Sequence, residues 1–225
     1  MLARLALIAA LLLPLPALAQ LRWQEGKHYT ALRPAVAASV PAGKIEVTEV
    51  FSYGCIACYR AKDEMTKLKA SLPPDAVMTY VHASFLPAEA WPMFQRAWYT
   101  AQSLGIGEAT HDQMFTAIWE TGEIPLLEKS GGIRNPLPTI NDAARFYAHY
   151  SSVKAADFLK LAQSPEIDAQ VQRADALVKA YKVAGTPTVL VNGRYLINSS
   201  ALGSWDDLRQ IVSYLVAVER LRLKR

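Results

Sequence analysis

Cys55 and Cys58 are the only cysteines in a chain of 225 residues, and they stand three apart in EVFSYGCIACYRAKDEM, residues 49–65. Thiols at that spacing ligate a metal, anchor a haem, staple a turn or exchange disulfides. A zinc site takes about four ligands, and the other soft partners, His28, His82, His111 and His149, occur at no paired spacing. Covalent haem attachment wants a histidine straight after the second cysteine, where Tyr59 stands. A structural disulfide across so short a loop contributes little, because loop-closure entropy is gained mainly by long loops. Exchange chemistry explains the position of the pair as well as its spacing. Cys55 lies where a helix begins, so unpaired backbone N–H groups and the positive end of the helix dipole favour its thiolate. Cys58, one turn on, is within reach of a mixed disulfide on Cys55. The residues between them, Ile56 and Ala57, carry no charge and no side-chain donor, so the helix and the Cys58 thiol must stabilise the anion. The reading favoured is a reactive dithiol, with no metal and no other cofactor.

The elements around the pair read as α/β. Ile45 to Phe51 is β-branched and alternates apolar residues with Glu46 and Thr48, a strand pattern that Gly54 breaks. Helix formers run from Cys55 through Ala70 until Pro73-Pro74, and Val77 to Ser84 reads as a second strand. A helical block follows: Trp91 to Leu104, Thr110 to Glu120, Ile140 to Tyr150, Val153 to Gln163 and Pro165 to Lys182. Within it Ser130 to Thr139, SGGIRNPLPT, is expected to be a flexible joint. Strand signals resume at Thr188 to Val191, turn through Asn192-Gly193 as a type I′ hairpin, and return along Arg194 to Ile197. A last amphipathic helix runs from about Ser204 to Arg220. An α/β sheet unit interrupted in sequence by helices accounts for this order.

Residues 1–19 form a separate object, with Arg4 as a positive n-region, Leu5 to Leu13 as an apolar h-region and Ala17-Leu18-Ala19 as a small-x-small cleavage site. The apolar run is about half the roughly 20 residues a membrane span needs. A mature chain beginning at Gln20 is therefore expected, exported to a compartment where disulfides persist. The formal net charge is +4, or +3 once Arg4 is removed, and the cations are scattered among carboxylates. That distribution argues against nucleic acid as a partner.

EVFSYGCIACY resembles the active-site segment of the DsbA family of periplasmic thiol–disulfide oxidases. EGKHYT, VAGTPTVLVNGRY and the helical insertion extend the likeness over nearly the whole mature chain. The resemblance implies a thioredoxin fold with an inserted helical domain: 20–84 and 183–225 as the two parts of the thioredoxin unit, and 85–182 as the insertion. It implies Cys55 as nucleophile, Cys58 as buried resolving partner and Glu49 as the buried acid beneath the disulfide. The residues alone allow a solvated edge glutamate at 49; a core-facing one would have a raised pKa and could exchange a proton with Cys58. Thr186-Pro187 matches the family's cis-proline position, where the Thr186 backbone would pair with an extended substrate strand. Two departures stand out. The best-studied members carry Pro-His between the cysteines, and they place a lysine opposite the acid where this chain has Tyr80.

The function so implied is donation of the Cys55–Cys58 disulfide to reduced exported polypeptides, with a membrane quinone-linked oxidase of the DsbB type recycling the pair and the protein acting as a monomer. Its closest rival is a disulfide isomerase or reductase on the same fold, although Gln20 to Lys44 is too short for the dimerisation domain that periplasmic isomerases usually carry. A metal- or peptide-binding module using the two cysteines is a rival of another class. A glutathione-dependent enzyme is a third, opposed by the paired cysteines. Trp91, Phe94, Trp98, Met114, Phe115 and Trp119 are expected to be core of the insertion, His82 a satisfied strand histidine and His111 a solvated one.

Overall fold

In the computed structural model, residues 22–224 are described; the leader read at 1–19 lies outside them. Ile45–Phe51 (β2) is buried along its whole length, as befits a β-branched run with sheet on both sides. It pairs parallel with Ala76–His82 (β3) and antiparallel with Thr188–Val191 (β4). Tyr195–Ile197 (β5) and Tyr29–Ala31 (β1) complete the five-stranded order β1-β5-β4-β2-β3. Parallel neighbours need a crossover, and Ile56–Ser71 (α1) supplies it.

Between β3 and β4 come the helices Trp91–Ser103 (α2), His111–Trp119 (α3), Ile140–Tyr150 (α4), Ala155–Ala162 (α5) and Pro165–Ala180 (α6); Trp205–Leu223 (α7) closes the chain. One apolar core joins Ile45, Val47, Met65 and Leu68 to Leu208, Ile211 and Leu215 of α7. The other runs without a break from Val50, Phe51 and Val81 into Phe94, Trp98, Phe115 and Tyr147 of the interposed helices.

The sequence segments SGGIRNPLPT and Asn192-Gly193 both turn the chain, in different ways. The first belongs to a small hairpin tied by a Leu127–Ile133 bridge and the Arg134 N–H to Leu126 carbonyl bond at 2.9 Å. In the second, Asn192 and Gly193 take φ of 53° and 56°, the positive values a type I′ turn requires. A Cβ at Gly193 would lie 2.1 Å from the Val36 carbonyl oxygen. Gly193→Ala is therefore expected to cost about 2 kcal/mol or more, from strain and clash together. A chemical-denaturation midpoint equal to that of the parent would contradict this.

Candidate active site

Cys55 ends the loop after β2 and caps α1, with extended φ/ψ of −93° and 111° and its Sγ accepting the Cys58 N–H at 3.4 Å. A capping sulfur thereby stands where serine or aspartate oxygen usually does. Its thiol donates to the Thr186 carbonyl at 3.4 Å, which brings together two segments separated by 130 residues of chain. Cys55 is 9% exposed and Cys58 only 1%, so one sulfur faces out and its partner is enclosed.

That asymmetry separates their acidities. Hydrogen bonding with the Cys58 thiol, then with Thr186 and the backbone amides of Cys58 and Ala57, outweighs burial and lowers the Cys55 pKa to about 6. Burial pushes the Cys58 thiol well above the ordinary range, and its hydrogen bond to Cys55 adds to the rise. At pH 7 about nine-tenths of Cys55 is then thiolate while Cys58 keeps its proton. Ile56 and Ala57 take no part through their side chains.

Glu49 is 3% exposed, and its Oε2 has no hydrogen-bond partner. The edge-glutamate reading fails because β2 lies inside the sheet, not at its rim. Burial, with repulsion from Asp112 and Cys55, raises the Glu49 carboxyl to about 8. The charge of Glu49 is also felt at Cys58. Thr186–Pro187 is a cis peptide, as are Arg33–Pro34 and Asn135–Pro136, which sequence reading did not anticipate.

Around Cys55 opens a groove of ≈ 580 Å³ whose walls include Ile56, Phe85, Leu86, Trp91, Trp119 and Ile133. Ile56, Phe85, Leu86 and Ile133 are each about 40% exposed. A contiguous exposed apolar surface of this kind marks an interaction site. Among the described residues no group of three His, Cys, Asp or Glu could hold a metal ion.

A family model described as Thioredoxin matches residues 40–213. The thiol:disulfide interchange protein DsbA of Pseudomonas syringae pv. tomato is 32% identical over 219 residues, covering 97% of this chain and 95% of that one. DsbA of Pseudomonas aeruginosa is 32% identical over 206 residues, 90% of this chain and 89% of the relative. The chain belongs to the DsbA family. Among solved structures, the oxidoreductase DsbA from Xylella fastidiosa superposes with a TM-score of 0.76 at 33% identity, over 88% of this chain and 98% of that one.

Against this DsbA-family frame, several residues hold places the sequence did not reveal. Tyr80 faces Glu49 across the parallel β2–β3 pair, as the comparison of residue types had placed it. Burial raises its phenol far above its usual range, and the Glu49 charge adds to the effect. His111 is not solvated: it packs against Phe51, Tyr53, Tyr80, Trp98 and Phe115 and meets the Tyr53 hydroxyl at 3.0 Å. Burial lowers its pKa to about 3, so it stays neutral. His82 is the satisfied strand histidine expected, accepting the Tyr53 N–H at 3.1 Å and meeting the Ala83 carbonyl at 2.8 Å. Phe94, Trp98, Met114 and Phe115 are core. Trp91 is core as well and Trp119 packs partly buried against it, and each also lines the groove. Trp119 is fixed there by its indole N–H to the Tyr53 carbonyl at 2.9 Å and by stacking on Tyr59.

Proposed function

We propose that this thiol–disulfide oxidoreductase of the DsbA family works as an oxidase, donating the Cys55–Cys58 disulfide to reduced exported polypeptides. A substrate thiolate attacks Cys55 Sγ; the Cys55–Cys58 bond breaks, and Cys58 leaves and is protonated. Glu49, neutral at pH 7, gives that proton in this reading. A second substrate thiolate then attacks the substrate sulfur of the mixed disulfide, expelling Cys55 as thiolate. The substrate has gained a disulfide, and the two electrons rest on the Cys55–Cys58 dithiol. The observation that carries the reading is the divergence of the two acidities: the easily expelled sulfur is the accessible one, which stabilises the reduced protein and drives transfer outward.

The client segment is read as extended and apolar, lying in the groove of Trp91, Trp119 and Ile133 and pairing with the Thr186 backbone beside Pro187. Export through a leader at 1–19 to the periplasm, recycling by a DsbB-type quinone-linked oxidase, and a monomeric state belong to the same proposal. Among the described residues no helix is long and apolar enough to cross a membrane. Residues 20–84 and 183–225 are taken as the thioredoxin unit and 85–182 as its insertion. Oxidation of a reduced multi-cysteine substrate, set against refolding of a scrambled one, tests the direction: faster action on the scrambled substrate would make the protein an isomerase.

The Ile56-Ala57 dipeptide implies a weaker oxidant than relatives bearing Pro-His. Ala57→His places a donor beside Cys55 at the helix N-terminus. Each pKa unit it removes from Cys55 is expected to raise the potential by about 30 mV, read by equilibration with glutathione. An unchanged potential would show that the dipeptide does not tune this site.

A further inference from the structure

The turn that delivers Cys55 to the head of α1 is Ser52-Tyr53-Gly54-Cys55, closed by the Cys55 N–H to the Ser52 carbonyl at 3.1 Å. Its central peptide, between Tyr53 and Gly54, is the unit whose orientation distinguishes a type I from a type II β-turn. Type II needs a left-handed φ at the third residue, for which glycine is the usual choice. Gly54 does not take it. The glycine answers a packing need instead: a Cβ at 54 would lie 2.6 Å from the Trp91 ring. A glycine in that place leaves both orientations open to the turn.

One orientation is held from both ends. The Gly54 N–H donates to Ser52 Oγ at 3.2 Å, within the turn itself. The Tyr53 carbonyl accepts the Trp119 indole N–H at 2.9 Å, across 66 residues of chain, from the last residue of α3. Trp119 is braced in turn by stacking on Tyr59, which follows Cys58 in α1. The preceding peptide is fixed separately, by the Tyr53 N–H to His82 Nε2 at 3.1 Å, so rotation of the central peptide breaks only the bonds to Ser52 and Trp119. Tyr53 is wholly buried, and a carbonyl turned away from the indole there would lose its partner, which is costly.

What the selected orientation serves lies at the end of the turn. Cys55 Sγ accepts the Cys58 N–H and, as a thiol, donates to the Thr186 carbonyl, each at 3.4 Å. Those partners belong to α1 and to a distant loop, so the surroundings of the sulfur depend on where the turn sets it. We infer that Trp119 is a positioning residue for the nucleophile: its indole N–H locks the Tyr53–Gly54 peptide and so keeps Cys55 Sγ on the donors at the head of α1. A helix interposed between β3 and β4 thereby contributes to the chemistry of the cysteine, beyond supplying groove wall. The inference rests on the reading of Cys55 as a stabilised thiolate.

Trp119→Phe keeps an aromatic ring in the groove wall and removes the donor. Trp119→Gln removes the ring and restores an N–H as many bonds from Cα as the indole nitrogen; should it not fold, Trp119→His restores the nitrogen on a ring. Thiolate absorbance against pH and equilibration with glutathione are the readouts, and neither needs a client. The titratable groups that act on Cys55, Cys58 and Glu49, are the same in every variant. Trp119→Phe is expected to raise the Cys55 midpoint by about half a pH unit or more, and to lower the potential by about 15 mV or more. Trp119→Gln should return both toward the parent while raising KM for a peptide client. A midpoint unchanged or lowered in Trp119→Phe would make Trp119 groove wall alone. An equal shift in both variants would mean that ring packing, not the N–H, holds the turn. Either result overturns the inference, while a parent midpoint near 6 in the same titration would leave the thiolate reading of Cys55 standing.

Discussion

Replacing Cys55 by alanine is expected to lower the rate of disulfide donation by at least about a thousandfold, since no disulfide remains to be donated and the one remaining thiol, Cys58, is enclosed. Cys58→Ala should behave differently. The accessible sulfur remains and attacks a client disulfide, forming a mixed disulfide and releasing one client thiol; no internal thiol can resolve it, so adducts with disulfide-bearing clients should accumulate on non-reducing gels. The Cys58 thiol is also the first of the groups that hold down the Cys55 pKa. Its loss should therefore raise that pKa above 6, making the remaining thiol slower to alkylate at neutral pH than in the parent. Alkylation of Cys58→Ala at an unchanged or lower pKa would show that the helix N-terminus and Thr186 suffice, and that the sulfur–sulfur hydrogen bond contributes nothing.

Glu49→Gln should stabilise the reduced protein in a pH-dependent way. The folded carboxyl is raised to about 8 from an ordinary 4.5, so the unfolded chain ionises first as pH rises. The native state is penalised once pH passes 4.5, and the penalty grows until about pH 8. Over the interval to pH 7 this amounts to at most about 3 kcal/mol, at 1.36 kcal/mol per pH unit. Glutamine keeps the shape and removes the ionisation. Urea denaturation of the parent and variant should give equal midpoints near pH 4 and a widening advantage for the variant from pH 5 to 8. A difference that is flat with pH would place the Glu49 carboxyl outside the buried environment described. Because the variant has no proton to deliver, its disulfide exchange should be slower even as its fold gains stability, which separates the catalytic effect from the structural one.

Much of the frame could be read from residue types. Ile45–Phe51, Ile140–Tyr150 and Thr188–Val191 occur with the bounds that their periodicity gives. The one helix among these has a sequence-visible start as well, because Thr139 and Asp142 form a capping box, the Asp142 carboxylate accepting the Thr139 N–H at 2.6 Å and hydroxyl at 2.8 Å. β1 escaped notice: three residues with a threonine in the middle carry too little period to be told from a loop, and only pairing with β5 makes them a strand. The second strand ends at His82 rather than Ser84, whose hydroxyl turns to Asp175 at 2.8 Å.

The site divides in the same way. The chemistry of Cys55 and Cys58 is local, carried by spacing and by a helix start, and so could be read directly. The placing of Glu49 needed to know whether β2 is central or at an edge, which depends on β4, about 140 residues downstream. His111 was misjudged, and the groove-lining share of Trp91 and Trp119 missed, for a related reason. Helical spacing tells that a face is buried but not what it is buried against; His111 meets five aromatic rings from β2, β3, α2 and α3 and the loop after β2, while Trp91 and Trp119 also line the groove that holds Cys55.

The acidity of one sulfur can be measured without a client or a recycling partner. The thiolate absorbance of the reduced protein, followed over pH beside the rate of alkylation at Cys55, should titrate near pH 6, with Cys58 silent through neutrality. A midpoint between about 8 and 9, the range of an unperturbed cysteine, would contradict the assignment of Cys55 as a stabilised leaving group and with it the oxidase reading.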